Sequence, residues 1–66
     1  MNIWINGERS EINGLTTVAE LAKHYGLQAN SVLIEHNAVA LRPREWPEQL
    51  LMEGDRIELV RVVAGG

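Results

Sequence analysis

Thr17-Val18-Ala19-Glu20-Leu21-Ala22-Lys23-His24-Tyr25-Gly26-Leu27 is the stretch on which the fold turns. Val18, Leu21, Ala22 and Tyr25 recur at i, i+3, i+4 and i+7, which lays one apolar stripe along a helix. Thr17 and Glu20 have the spacing of a capping box, in which the hydroxyl and the carboxylate each take a backbone N–H of the first turn. Gly26 stands where a left-handed residue closes a helix, and Leu27 is placed to fold back onto it. The spacing therefore predicts a helix over about Val18–Tyr25, punctuated at both ends.

Working outward, the flanks read as strands. Met1, Ile3 and Ile5 alternate with Asn2, Trp4 and Asn6, a period of two. Asn6-Gly7 is a strong hairpin signal, because a type I′ turn requires φ > 0 at both central residues. Glu8–Ile12 is the returning strand, and Asn13-Gly14 is a second turn. Beyond the helix, Ser31–His36 predicts a third strand, Asn37-Ala38 a tight turn and Val39–Leu41 a short fourth strand. Arg42–Pro47 is expected to be irregular, since proline lacks an N–H and restricts its neighbour. Trp46 is expected to pin that segment to the body. Leu50–Met52 and Glu53–Asp55 read as turns. Arg56–Val63 is the last strand, with Ile57 and Leu59 on one face and Glu58, Val60 and Val62 on the other. The order β-β-α-β-β-β is met most simply by an α+β mixed sheet with one helix packed across one face.

Composition narrows the function. The chain has 66 residues, a net charge of −3 and no cysteine. One domain fits that length, and a domain of that size buries only roughly 60% of its unfolded surface. With no thiol there is no disulfide, no thiolate nucleophile and no thiolate metal ligand. The Lys and Arg residues are scattered, so no basic stripe is available for nucleic acid. No apolar run approaches the roughly 18 residues of a membrane span, and the first residues do not read as a signal peptide. A cytoplasmic chain is expected. Walls for an enclosed pocket are hard to supply from so few residues, which argues against an enzyme.

Side-chain candidates are weak. His24 lies off the apolar stripe and reads as solvent-facing, and His36 ends a strand beside a turn. Two His residues do not make a zinc site without help, so no metal is expected. Glu45 with Glu48, and Glu53 with Asp55, fall in turn-like segments where solvated acids are the rule. Thr17 is explained as a cap. What remains is the end of the chain, where an apolar strand runs into Ala64-Gly65-Gly66. Glycine lacks a Cβ, so Gly65-Gly66 suits a channel too narrow for side chains and leaves the carboxylate of Gly66 open. Joined to AMP, that carboxylate becomes a reactive acyl phosphate. A frayed end or a processing product is the plain alternative.

In that order the residues resemble the ubiquitin-like β-grasp fold and, more narrowly, the thiamine-biosynthesis sulfur carrier family. The resemblance rests on Ile3-x-Ile5-Asn6-Gly7, Thr17-Val18-Ala19-Glu20-Leu21, Pro43-Arg44-Glu45-Trp46, Leu51-Met52-Glu53-Gly54-Asp55-Arg56-Ile57-Glu58-Leu59 and Val63-Ala64-Gly65-Gly66. It covers essentially the whole chain, with Asn37-Ala38 standing where Asn-Gly is common. It implies a β-grasp domain over 1–63 and a flexible C-terminal Gly-Gly tail over 64–66. It implies that Gly66 is adenylated by an ATP-dependent enzyme related to ubiquitin-activating enzymes and then converted to a thiocarboxylate. The sulfur would pass to thiazole synthase, and the chain itself would need no cofactor. If the first and last strands are neighbours, Trp4, Val60 and Val62 form an exposed apolar patch leading to the tail, suited to partner binding. The small subunit of molybdopterin synthase, a protein modifier conjugated through Gly66, and a plain interaction domain are the rival readings.

Overall fold

The computed structural model describes residues 1–62; Val63, Ala64, Gly65 and Gly66, and with them the expected boundary at 63/64, lie outside the described residues. Five strands and two helices follow one another: β1 (Asn2–Ile5), β2 (Glu8–Glu11), α1 (Val18–His24), β3 (Val32–His36), β4 (Val39–Leu41), a 3₁₀ helix η1 (Pro43–Glu48) and β5 (Arg56–Arg61). The strands form one sheet in the order β2-β1-β5-β3-β4. β1 runs parallel to β5, with Trp4 opposite Arg56 and Ile5 opposite Ile57. The other three pairings are antiparallel, so the sheet is mixed.

Both hairpins turn on two residues. Ile5 pairs with Glu8 and His36 with Val39, leaving Asn6-Gly7 and Asn37-Ala38 as the loops. All four loop residues have positive φ, at 50°, 82°, 49° and 71°. This is the type I′ geometry whose twist matches that of the strands.

The helix starts as its sequence predicts. Thr17 Oγ1 accepts from the Glu20 N–H at 3.2 Å, and Glu20 Oε1 accepts from the Thr17 N–H at 3.0 Å. It ends in a Schellman motif: the Leu27 N–H donates to Ala22 O, the Gly26 N–H to Lys23 O, and Gly26 has φ 68°. Tyr25 departs from the expected stripe. It is the C-cap and stands exposed at the helix end, so the buried helix residues are Val18, Leu21 and Ala22, with Ala19 packed at the edge of the core. The stripe was too long because the helix closes before its second full turn.

Val18, Leu21 and Ala22 meet Ile3, Val32, Ile34 and Ile57 from the sheet, with Ile12, Leu41, Trp46 and Leu51 closing the rim of one core. Ile3, Val18, Leu21, Ile34 and Ile57 are fully buried. Each contributes about 1.5–3 kcal/mol by leaving water.

The segment expected to be irregular is regular. Pro43 opens η1, a position where its missing N–H is an orphan in any case and its fixed φ suits a helix. The Glu45 carboxylate accepts from the Arg42 N–H at 2.7 Å. A 3₁₀ helix of six residues, about two turns, tolerates Pro47 inside it. Trp46 is buried and joins the core, as expected. Three strands are slightly shorter than the sequence suggests. Ile12 and Ser31 flank β2 and β3, and β5 ends at Arg61.

Candidate functional site

With one helix and η1 on a single side, no element among the described residues covers the opposite face of the sheet. Alternation along β5 puts Ile57 and Leu59 toward the core and Arg56, Glu58 and Val60 outward. On β1 the outward residue is Trp4, and on β3 they are Leu33 and Glu35. Trp4, Val60, Leu33 and Val62 are each 40–56% exposed (42%, 49%, 40% and 56%).

The first and last strands are indeed neighbours, but the register spreads the expected patch. Trp4 lies opposite Arg56, four residues before Val60. Between them on the same face stands Glu58. The apolar neighbour of Val60 is instead Leu33, its direct partner on β3. A shallow depression of about 280 Å³ is lined by Trp4, Gly7, Arg56 and Glu58. A wider one lies beside it, lined by Glu35, Asn37, Ala38, Arg56, Glu58 and Val60. The open face is thus apolar at its two ends and charged in the middle, where Glu35 and Glu58 stand directly opposite each other. Like charges so placed are mutually unfavourable.

β5 leads out of this face toward the C-terminal residues. Its far end is held by β3, through Val32 opposite Arg61 and the Val62 N–H donating to Ser31 O at 2.9 Å. Its other flank is held by β1 as far as Ile57, whose carbonyl accepts from the Asn6 N–H. Gly66, Gly65 and Ala64, the expected attachment point and tail, lie outside the described residues.

At the start of β5 the structure corrects one sequence reading. Asp55 was expected to be a solvated turn acid, yet it is buried, with 8% of its surface exposed. Its Oδ2 accepts from His36 Nε2 at 2.7 Å and from the Met52 N–H at 2.9 Å, and its Oδ1 accepts from Asn37 Nδ2 at 3.1 Å. Burial works against the charge, but the hydrogen bonds from His36, Met52 and Asn37 outweigh it and hold the carboxyl below its ordinary range. Asn37 also accepts the Arg56 N–H at 2.8 Å. The cluster ties the β3–β4 turn to the entry of β5 and commits three of the roughly four acceptor positions of the Asp55 carboxylate to bonds within the fold. His24 is exposed, as expected, and its ring meets that of Tyr25 edge-on. Among the described residues no three His, Cys, Asp or Glu groups come together as a metal site.

Leu33 and Arg56 were not singled out by the sequence, and Glu58 was placed on the outward face of the last strand without a role. Leu33 sits in the run Val32-Leu33-Ile34, whose continuous apolarity hides which residue faces out. The available signal was arithmetic: one helix cannot cover both faces of five strands, so alternate residues of a central strand must be exposed.

Comparison with known proteins adds the family. The model of the ThiS family matches residues 3–66. The sulfur carrier protein ThiS of Thermus thermophilus is 31% identical over 64 residues, covering 97% of this chain and 98% of that one. The crystal structure of the thiamine biosynthesis protein ThiS from Geobacter metallireducens superposes with a TM-score of 0.83 at 29% identity, with both chains fully covered. A thiazole synthase of Paramagnetospirillum magneticum is 27% identical over 66 residues, which are all of this chain and 20% of that protein. A family match across nearly the whole sequence, on a mixed β-grasp sheet with the same architecture, places the chain in the ThiS family, the sulfur carrier proteins of thiamine biosynthesis.

Proposed function

We propose that this chain carries its sulfur as a thiocarboxylate on Gly66. The observation that carries the reading is that the family match runs through Gly65 and Gly66. In the first step the Gly66 carboxylate oxygen attacks the α-phosphorus of ATP, and pyrophosphate leaves. A sulfide-level sulfur nucleophile then attacks the acyl carbon of the adenylate, and AMP leaves with the bonding electrons. The resulting thiocarboxylate is ionised near neutral pH and nucleophilic at sulfur, which suits attack on an electrophilic carbon of a thiazole precursor. The chain contributes the acyl group and the recognition surface; an adenylating enzyme related to ubiquitin-activating enzymes supplies the catalysis, and the chain needs no cofactor of its own.

Thiazole synthase is the proposed acceptor. Supporting it is the 66-residue stretch similar to this chain within a protein named as a thiazole synthase. The open sheet face, with Trp4, Val60 and Val62, is the proposed docking side, because it is the uncovered apolar surface on the strand that leads to Gly66. No helix among the described residues is long and apolar enough to cross a membrane, and the ATP requirement of the first step agrees with a cytoplasmic setting.

Intact mass of the chain from thiamine-starved cells tests the reading. The expected species carries one oxygen-to-sulfur exchange localised to Gly66, and deleting Gly66 abolishes it. Isopeptide conjugates in place of the free thiocarboxylate would make the chain a protein modifier instead.

A further inference from the structure

We infer that Asn6 is a positioning residue, whose side chain fixes the line along which β5 leaves the sheet toward Gly66. The inference rests on the carrier reading above for its consequence, but not for its geometry. β1 is four residues long and its ladder with β5 ends at Ile5 opposite Ile57. There the chain must turn back into β2, through Asn6-Gly7 at positive φ. The parallel pairing would stop at that point, two residues short of Leu59.

The Asn6 side chain continues it. Its Oδ1 accepts from the Leu59 N–H at 2.7 Å, and its Nδ2 donates to Leu59 O at 3.3 Å. A carboxamide presents its oxygen and one N–H on the same edge, as a strand residue presents its C=O and N–H to a neighbour, so it stands in for a further residue on the β1 side of β5. Leu59 itself packs against the core and lies opposite Ile34. β5 is therefore clamped from both sides at Leu59. Among the described residues, these are the last hydrogen bonds that β5 receives from the β1 side. Beyond them β3 alone holds Val60, Arg61 and Val62.

That placement matters because a terminal acyl group must reach a reacting centre on another protein. From Val62 to Gly66 is four residues, a span of at most about 14 Å when extended. A small rotation of β5 about its single remaining neighbour would shift the point and the direction from which those four residues set out. Misplacement of about 1 Å can cost a reaction roughly a hundredfold.

Asn6→Gly is the informative variant. Glycine accepts positive φ at no steric cost, so the two-residue turn is kept while both side-chain bonds go. Three readouts follow, all at a temperature where both proteins are folded. The Leu59 amide should exchange with solvent about tenfold faster. Residual dipolar couplings of Arg61 and Val62 should change while those of β3 and α1 do not. In ATP–pyrophosphate exchange with the purified cognate adenylating enzyme, kcat should fall roughly tenfold, with KM changing by less, because every apolar side chain of the docking face is retained.

Asn6→Asp keeps the acceptor but sets a carboxylate oxygen against Leu59 O, and it should fall between wild type and Asn6→Gly. It also carries the test if the glycine variant loses cooperative unfolding. Unchanged exchange at Leu59, or unchanged couplings at Arg61 and Val62, would overturn the inference. So would altered couplings with an unchanged kcat. A wild-type chain that is never adenylated sinks the carrier chemistry instead, and the couplings still decide whether Asn6 sets the path of β5.

Discussion

Ala38 holds φ 71° in the loop between β3 and β4, a conformation that glycine adopts freely and alanine does not. The type I′ turn requires it, because Asn37-Ala38 must reverse the chain in two residues. Ala38→Gly should therefore raise stability by about 0.5–1 kcal/mol, the relief of strain less the extra backbone freedom of glycine. In a domain this small that is a rise in Tm of about 4–7 °C; an unchanged or lower Tm would show that the turn carries no such strain. Asp55 is the other residue whose environment sets an outcome. Its carboxyl is held below its ordinary range in the fold, so its charge stabilises above the unfolded carboxylate pKa. That contribution fades as pH falls through the folded value. Asp55→Asn should lose about 1–3 kcal/mol at neutral pH, since the amide turns a donor toward the Met52 N–H or Asn37 Nδ2. Denaturation followed from pH 7 down to pH 2 should show the variant losing less stability on acidification than wild type. Parallel curves would assign the acid sensitivity elsewhere.

At the scale of elements, α1 spans only seven residues, too short to persist by propensity alone. Its caps and its packing make it a helix. Thr17→Ala removes the hydroxyl that accepts the Glu20 N–H and should cost about 1 kcal/mol, read as a lower denaturant midpoint at unchanged m-value. A midpoint within error of wild type would mean that the first turn is held by its packing on η1 alone. The same caps made this helix legible in the sequence, since Thr17, Glu20 and Gly26 act on groups within a few residues of themselves. Both hairpin loops were legible for the same reason. The 3₁₀ helix was not. Pro43 and Pro47 read as breakers, and what regularises the segment is the burial of Trp46 in a core built from distant strands. Asp55 was hidden in the same way. Its partners His36 and Asn37 are 19 and 18 residues away, and only the β3–β5 register brings them together.

On the scale of the whole molecule, the sheet presents one covered and one open face, and the strand leading to Gly66 belongs to both. Alternation along β1 and β5 was enough to place Trp4 and Val60 on the open side. The distance between them was not legible, because it depends on the parallel register that sets Trp4 against Arg56. Leu33 was missed because it lies within a continuous apolar run. A partner that grips the base of the tail should therefore feel Val60 and Leu33 together, and Trp4 only if its footprint crosses the sheet past Glu58. Val60→Asp, Leu33→Asp and Trp4→Asp each change an exposed side chain, so thermal unfolding should move little. Each aspartate would be desolvated without a partner in a docked complex. In adenylation by the cognate enzyme, Val60→Asp and Leu33→Asp should each raise KM by about tenfold or more, with kcat nearly unchanged. Tyr25→Asp, the same change of charge on an exposed residue at the helix end, should leave both constants as they are. A rise in KM for Trp4→Asp as well would extend the footprint across both depressions. Normal turnover by the Val60 and Leu33 variants would move the docking side away from the open face, since no other change at the base of the tail intrudes as directly on a partner seated there.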